Sequence, residues 1–296
     1  MPADPNKRIC RRVTTTKPGT FAQRFAVLRQ QRGPFCLGLD PTPELLAAWG
    51  LKDDIWGLRT FCNRVVDAAA QQVSVWKPQS AYFERFGAAG LEVLADIIGS
   101  IHALGSLALL DVKRGDVGST NEAYAGALLG PDSAMGADAV TVHAYLGFAA
   151  LEPFIARAHR TGCALFVVVQ SSNPEGRLLQ SAQVRPGVSV AQYLCDEISA
   201  CNAQLAPGTV GPIGAVVGTT SEDAPELVAR LPHGLVLAPG IGAQGASFEQ
   251  LGERFAGAKE RVLPSVSRAL LARGPDERTL RKAITEHCSA AAQALS

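Results

Sequence analysis

The stretch Ser106-Leu107-Ala108-Leu109-Leu110-Asp111-Val112-Lys113-Arg114-Gly115-Asp116-Val117-Gly118-Ser119-Thr120 decides how the chain is read. Residues 106–110 are a short apolar run of the kind that forms a buried strand. The run ends in Asp-x-Lys. Side chains two apart on a strand share a face, so Asp111 and Lys113 are expected side by side. Charges at the end of a buried strand are costly unless paired. A lysine between Asp111 and Asp116 can be satisfied by both. Gly115 and Gly118 free the backbone to turn. Ser119 is then expected to cap a helix starting near Thr120, with Glu122 in its first turn. Alone, such a cluster reads either as an ion-pair network that closes a strand or as a functional site.

Outward from this stretch the same unit recurs. Residues 21–32 read as a helix ended by Gly33-Pro34. Apolar strand-like runs follow at residues 35–39, 73–76, 139–142, 164–169, 213–218, 235–238 and 262–266. Helical patterns are expected near residues 55–72, 90–104, 188–205 and 275–294. Eight strand–helix units at this length predict a single-domain (β/α)8 TIM barrel. A doubly wound open sheet is the alternative. It would carry a glycine-rich phosphate turn after the first strand, where this chain has Leu39-Asp40-Pro41 instead. Residues 171–207 are expected to place a loop and a helix over the barrel mouth. The domain reading is a flexible arm over residues 1–20 and a barrel over residues 21–296. The arm is basic and lacks an apolar h-region, so no secretory signal is read there. A transit peptide is the other reading of so acid-poor a start.

Composition narrows the function. The 28 Lys and Arg residues nearly balance 27 Asp and Glu, which argues against nucleic acid or an anionic membrane as the main partner. No apolar run approaches the roughly 18 residues of a membrane span. The seven cysteines are scattered without a C-x-x-C pair. They point to a reducing, cytoplasmic setting without disulfides or a cysteine metal site. The five histidines show no ligand spacing, so no metal is expected. No serine sits in a Gly-x-Ser-x-Gly elbow, which removes the usual hydrolase triad.

In a barrel of this kind the C-terminal strand ends form the active face. Those ends carry Asp40, Lys77, Asp111 with Lys113, and Ser171-Ser172-Asn173-Pro174. Pro239-Gly240-Ile241-Gly242-Ala243-Gln244-Gly245 and Ser267-Arg268 complete the set. The last two pieces suit a phosphate: a glycine-rich turn exposes N–H groups and Arg268 adds a forked cation. Asp40, Lys77, Asp111, Lys113 and Asp116 alternate in sign around one mouth. A lysine penned by carboxylates keeps its proton, so Lys113 is expected to donate a proton rather than act as a nucleophile. Asp111 would repel an anionic substrate group. Repulsion followed by protonation suits loss of carbon dioxide.

These motifs, in this order, resemble the orotidine 5′-phosphate decarboxylase family, and most closely its longer bacterial-type branch. The carrying segments are Leu37-Gly38-Leu39-Asp40-Pro41, Lys77-Pro78, the Asp111–Thr120 run, Ser172-Asn173-Pro174-Glu175-Gly176, Pro239–Gln244 and Ser267-Arg268. The resemblance implies conversion of orotidine 5′-monophosphate to UMP and carbon dioxide by a cofactor-free homodimer with shared sites. Asp40 and Lys77 would hold ribose hydroxyls. Asp111 would press on the substrate carboxylate and orient Lys113, which would protonate C6. Asp116 and Thr120 would reach into the partner's site. Ser172 would meet the pyrimidine edge, although Ser171 competes for that part. Pro239 would pack beside the base, and Gln244 and Arg268 would hold the phosphate. Three rivals follow: a magnesium-dependent sugar-phosphate lyase of the same superfamily, a Schiff-base aldolase, and a nucleotide-binding protein without turnover.

Overall fold

The computed structural model describes residues 19–242 and 244–296. Eight parallel strands close into a barrel in sequence order. They are β1 (Cys36–Leu39), β2 (Val75–Pro78), β3 (Leu107–Arg114), β4 (Ala139–Val142), β5 (Ala164–Gln170), β6 (Ile213–Val217), β7 (Val236–Pro239) and β8 (Val262–Val266). β8 pairs with β1 and shuts the ring. The fold is thus the expected (β/α)8 barrel, and each strand begins and ends within a few residues of its expected limits.

The strand period divides the side chains into two cores. One row, with Leu37, Trp76, Ala108, Leu110, Val140, Val142, Leu165, Val167, Ala215 and Val236, faces the surrounding helices. The alternate row, with Cys36, Val75, Leu107, Leu109, Ala139, Phe166, Val216, Leu237 and Leu263, fills the barrel interior. Alternation of this kind follows from the pleat. The inward row continues upward into Lys77, Asp111, Thr141 and Ser265, all buried. The top layer of the interior is therefore polar, and it is the floor of the site.

The bottom is closed by helix Phe21–Arg32. Thr20 and Gln23 form a reciprocal capping box at its start. Phe21, Phe25 and Leu28 are buried against the interior core. The Phe21 ring meets Phe166 edge-on at 5.9 Å. Each such phenylalanine contributes about 1.5–3 kcal/mol by leaving water. Apart from Gly19 and Thr20, the expected N-terminal arm lies outside the described residues. No helix among the described residues is long and apolar enough to cross a membrane.

Several local expectations are corrected. Helices run Ile55–Ala69, Gly87–Ala103, Val190–Leu205 and Glu277–Ala294, slightly displaced from the ranges read in the sequence. The helix after β3 begins at Gly118, its cap position is Val117, and no side chain caps it. Ser119 is already inside the helix. Buried Asn121 reaches back instead: its Oδ1 accepts from Asp116 N at 2.9 Å, and its amide donates to Asp116 O. The segment after β5 holds a short helix, Arg177–Gln180, and an antiparallel hairpin of Gln183–Arg185 with Val188–Ser189 before the expected helix. The hairpin was invisible to pattern reading because its strands are only three and two residues long and mostly polar.

Candidate active site

The C-terminal mouth encloses a cavity of about 250 Å³. Asp40, Lys77, Asp111, Lys113, Ser172, Pro239, Gln244 and Arg268 all line it. Two expected site residues do not: Asp116 and Thr120 lie beyond the cavity on the turn and helix after β3. His143, which follows β4, packs against Gly115 and also lies outside the cavity.

Asp111 is the hub. Its Oδ2 accepts from Lys77 Nζ at 2.9 Å and from Gln79 Nε2 at 3.1 Å. Its Oδ1 accepts from Lys113 Nζ at 2.6 Å and from Thr141 Oγ1 at 2.7 Å. Four donors, two of them cationic, converge on one buried carboxylate. Burial alone would raise its pKa. The ammonium groups of Lys77 and Lys113 outweigh that and hold it well below the usual carboxylate range. Burial likewise opposes charge on Lys77, but Asp111 and Asp40 outweigh it and push its pKa up. Both groups stay ionised at neutral pH.

Lys113 does not reach Asp111 by regular strand geometry. It sits at φ +43°. β3 spends four residues, from Leu110 to Arg114, where β4 spends two, from Val140 to Val142. This bulge brings the lysine back over its neighbour. Half of the Lys113 side chain remains exposed, whereas Lys77 is buried.

Opposite the lysines, the loops after β7 and β8 meet. Gly240 has φ +108°, and a Cβ there would lie 3.1 Å from Gln244 Oε1 and 3.3 Å from Ser172 Cβ. The loop after β7 therefore folds close to the end of β5. Ser267 and Arg268 follow β8, and Gly38 of β1 allows Ser267 to approach. Two buried oxygens at the site, Asp40 Oδ1 and Ser267 Oγ, have no hydrogen-bond partner. Buried polar atoms are rarely left so. Donors and acceptors from a bound molecule would complete them.

The end of β5 separates the two candidate serines. Ser171 N donates to Gln180 Oε1 at 3.0 Å, and Ser171 Oγ exchanges hydrogen bonds with the same carboxamide. The Ser172 carbonyl accepts from Thr220 Oγ1 at 3.2 Å. Both serines line the cavity, and the Ser171 hydroxyl is engaged by Gln180.

Gln79 and Thr141 were missed in the sequence. Thr141 stands at an inward position of an otherwise apolar strand, which was the available signal. Among the described residues no group of three or more His, Cys, Asp or Glu side chains is placed to hold a metal ion. Cys36, buried beneath Lys77, has its thiol pushed up to about 12 by burial and is no nucleophile.

Fold and site together define the class: a (β/α)8 barrel enzyme with a buried ionic array at its C-terminal mouth. A family model described as orotidine 5′-phosphate decarboxylase / HUMPS matches residues 33–283. An orotidine 5′-phosphate decarboxylase of Myxococcus xanthus is 48% identical over 277 residues, covering 93% of this chain and 96% of that one. One from Salinispora arenicola is 48% identical over 264 residues, covering 89% and 94%. A crystal structure from Streptomyces avermitilis, provisionally given the same name, superposes with a TM-score of 0.88 at 43% identity, covering 94% and 96%. The chain belongs to the orotidine 5′-phosphate decarboxylase / HUMPS family.

Proposed function

We propose that this enzyme converts orotidine 5′-monophosphate to UMP and carbon dioxide. The observation that carries the reading is the array Asp40–Lys77–Asp111–Lys113 on one wall of the cavity, with Asp111 kept ionised by two lysines. Gln244 and Arg268, from the loops after β7 and β8, hold the phosphate. Asp40, whose Oδ1 lacks a partner, accepts from a ribose hydroxyl, and Lys77 assists there. Ser172 meets the pyrimidine edge and Pro239 packs beside the base.

Anchored in this way, the substrate carboxylate is forced towards the Asp111 carboxylate. Two like charges at close range in a partly desolvated site repel strongly. The repulsion is relieved as the C6–carboxylate bond breaks and neutral carbon dioxide departs. The electron pair stays on C6, close to the Lys113 ammonium. Lys113 stabilises that developing charge and delivers its proton to C6. The neutral amine then recovers a proton from solvent. The relief of carboxylate repulsion and the attraction of the Lys113 ammonium for C6 both grow towards the transition state, and binding energy from the phosphate holds the substrate where they act.

Asp116 and Thr120 belong to a second site across a homodimer interface. Exposed Val117, Tyr145 and Leu146 near the same mouth supply apolar surface for that contact. The test is an ultraviolet assay of purified protein with orotidine 5′-monophosphate, with and without EDTA, alongside Lys113→Ala. Turnover that survives EDTA and is lost in Lys113→Ala is expected. The rival reading is a magnesium-dependent sugar-phosphate lyase, which the breadth of the family name keeps in view. Lys77 and Lys113 crowd the position a cation would take. Activity abolished by EDTA would favour that rival, and near-wild-type turnover by Lys113→Ala would remove the proposed mechanism.

A further inference from the structure

We propose that Thr141 is a positioning residue for the reaction: its hydroxyl holds the Asp111 carboxylate and the bent backbone of Lys113 in one fixed arrangement. The inference rests on the function proposed above and extends it to a residue outside the charged array.

Thr141 lies on the inward row of β4 and is 1% exposed. A hydroxyl has one proton to give and two lone pairs. All three are used. The Oγ1 proton goes to Asp111 Oδ1 at 2.7 Å. The lone pairs accept from Val112 N at 3.1 Å and Lys113 N at 3.0 Å. Both N–H groups lie between Leu110 and Arg114, where the register of β3 against β4 shifts. Orphaned buried N–H groups are costly, so the threonine satisfies a requirement that the kink itself creates.

The consequence is geometric. Lys113 occupies φ +43°, a conformation unfavourable for a lysine. Without an acceptor at Thr141 Oγ1, the strand can relax towards ordinary β geometry, and the ammonium no longer folds back onto Asp111. Without the donor, Asp111 Oδ1 keeps only Lys113, the partner that must give up a proton during the cycle. Thr141 thus keeps the carboxylate in place while its other contact on that oxygen changes. Thr141 lines the cavity, but its hydroxyl is spent within the protein. In the arrangement proposed above, phosphate, ribose and base are held by other residues, so ligand affinity is expected to be independent of it.

Thr141→Val preserves shape and removes all three hydrogen bonds, and Thr141→Ser restores them. For Thr141→Val, kcat falls about 10- to 100-fold, the range for loss of one hydrogen bond to a charged group in the reacting state. Affinity for UMP, which has no carboxylate at C6, stays within about twofold of wild type. Thr141→Ser recovers most of the lost kcat. If Thr141→Val does not fold, Thr141→Ala is read in the same way. A kcat for the valine or alanine variant equal to wild type overturns the inference. So does a parallel loss of UMP affinity, or a serine variant as slow as valine. Wild-type protein that does not turn over orotidine 5′-monophosphate would instead refute the function. The inference is then decided by a crystal structure of Thr141→Val: Lys113 still at positive φ with its ammonium on Asp111 overturns it.

Discussion

Gly38→Ala tests whether the end of β8 carries the phosphate. The perturbation is one methyl group. A Cβ on Gly38 would lie 2.4 Å from Ser267 Cβ, 2.9 Å from its Oγ and 3.2 Å from its Cα. Carbon atoms pack at about 3.5–4.0 Å, so Ser267 must withdraw by roughly 1 Å. Backbone near the clash cannot swing aside as a flexible side chain would, and Arg268 is the next residue. A displacement of about 1 Å in a positioning element can cost about 100-fold in rate. The limit is set by Arg268→Ala, for which loss of charged hydrogen bonds predicts about 1.5–3 kcal/mol in kcat/KM. Overpacking also lowers stability by about 1–3 kcal/mol, so folding is checked first by thermal melting. The assay compares kcat/KM for orotidine 5′-monophosphate with that for orotidine, which lacks the phosphate. Gly38→Ala is expected to weaken the first strongly and the second little. A folded variant with wild-type kcat/KM on the phosphorylated substrate would refute the reasoning, as would equal losses on both.

Other expectations follow from the same geometry. Asp111→Ala leaves Lys77 buried beside only one remaining carboxylate neighbour, Asp40, and should cost about 3–5 kcal/mol of stability by denaturant unfolding. Because the folded-state pKa of Asp111 is depressed, its stabilisation is present above the unfolded value of about 3.9 and is lost as pH falls below it. The stability gap between wild type and Asp111→Asn should therefore shrink on acidification below about pH 4, and a gap that stays constant would contradict the ionised carboxylate. Mixing inactive Lys113→Ala and Asp116→Ala subunits should restore part of the activity, since a heterodimer rebuilds one complete site. Heterodimers that form and remain inactive would rule out sharing. Ser172→Ala should raise KM more than Ser171→Ala, whose hydroxyl is already engaged by Gln180; the reverse order in steady-state kinetics would exchange their roles.

The architecture was legible because strand ends in a barrel are both apolar and abruptly polar. Leu39-Asp40, Trp76-Lys77 and Leu110-Asp111 each mark such a change, and all three acidic or basic residues line the cavity. The same local pattern could not reveal Thr141 or Gln79. Their partner Asp111 comes from another strand, and only the lateral register of β2, β3 and β4 brings them together. The two-residue period also gave the right contact between Asp111 and Lys113 for an incomplete reason. The bulge and the positive φ of Lys113, not a regular pleat, place the ammonium. Ser119 looked like a cap because it precedes a helical pattern, but Asn121 ties the turn from inside the helix. Asp116 and Thr120 carry no mark that separates a residue of its own cavity from one turned outward.

The aromatic plug formed by Phe21 and Phe25 beneath the strands has a kinetic meaning. With its interior filled by side chains and its lower end covered by this helix, the barrel meets a bound molecule at its C-terminal mouth. Whatever is released from the reacting centre must leave past the same loops that admitted the reactant. On the function proposed above, carbon dioxide can escape while the nucleotide is still seated, but the nucleotide must clear that mouth before the next one enters, so ordered release with the nucleotide last is expected.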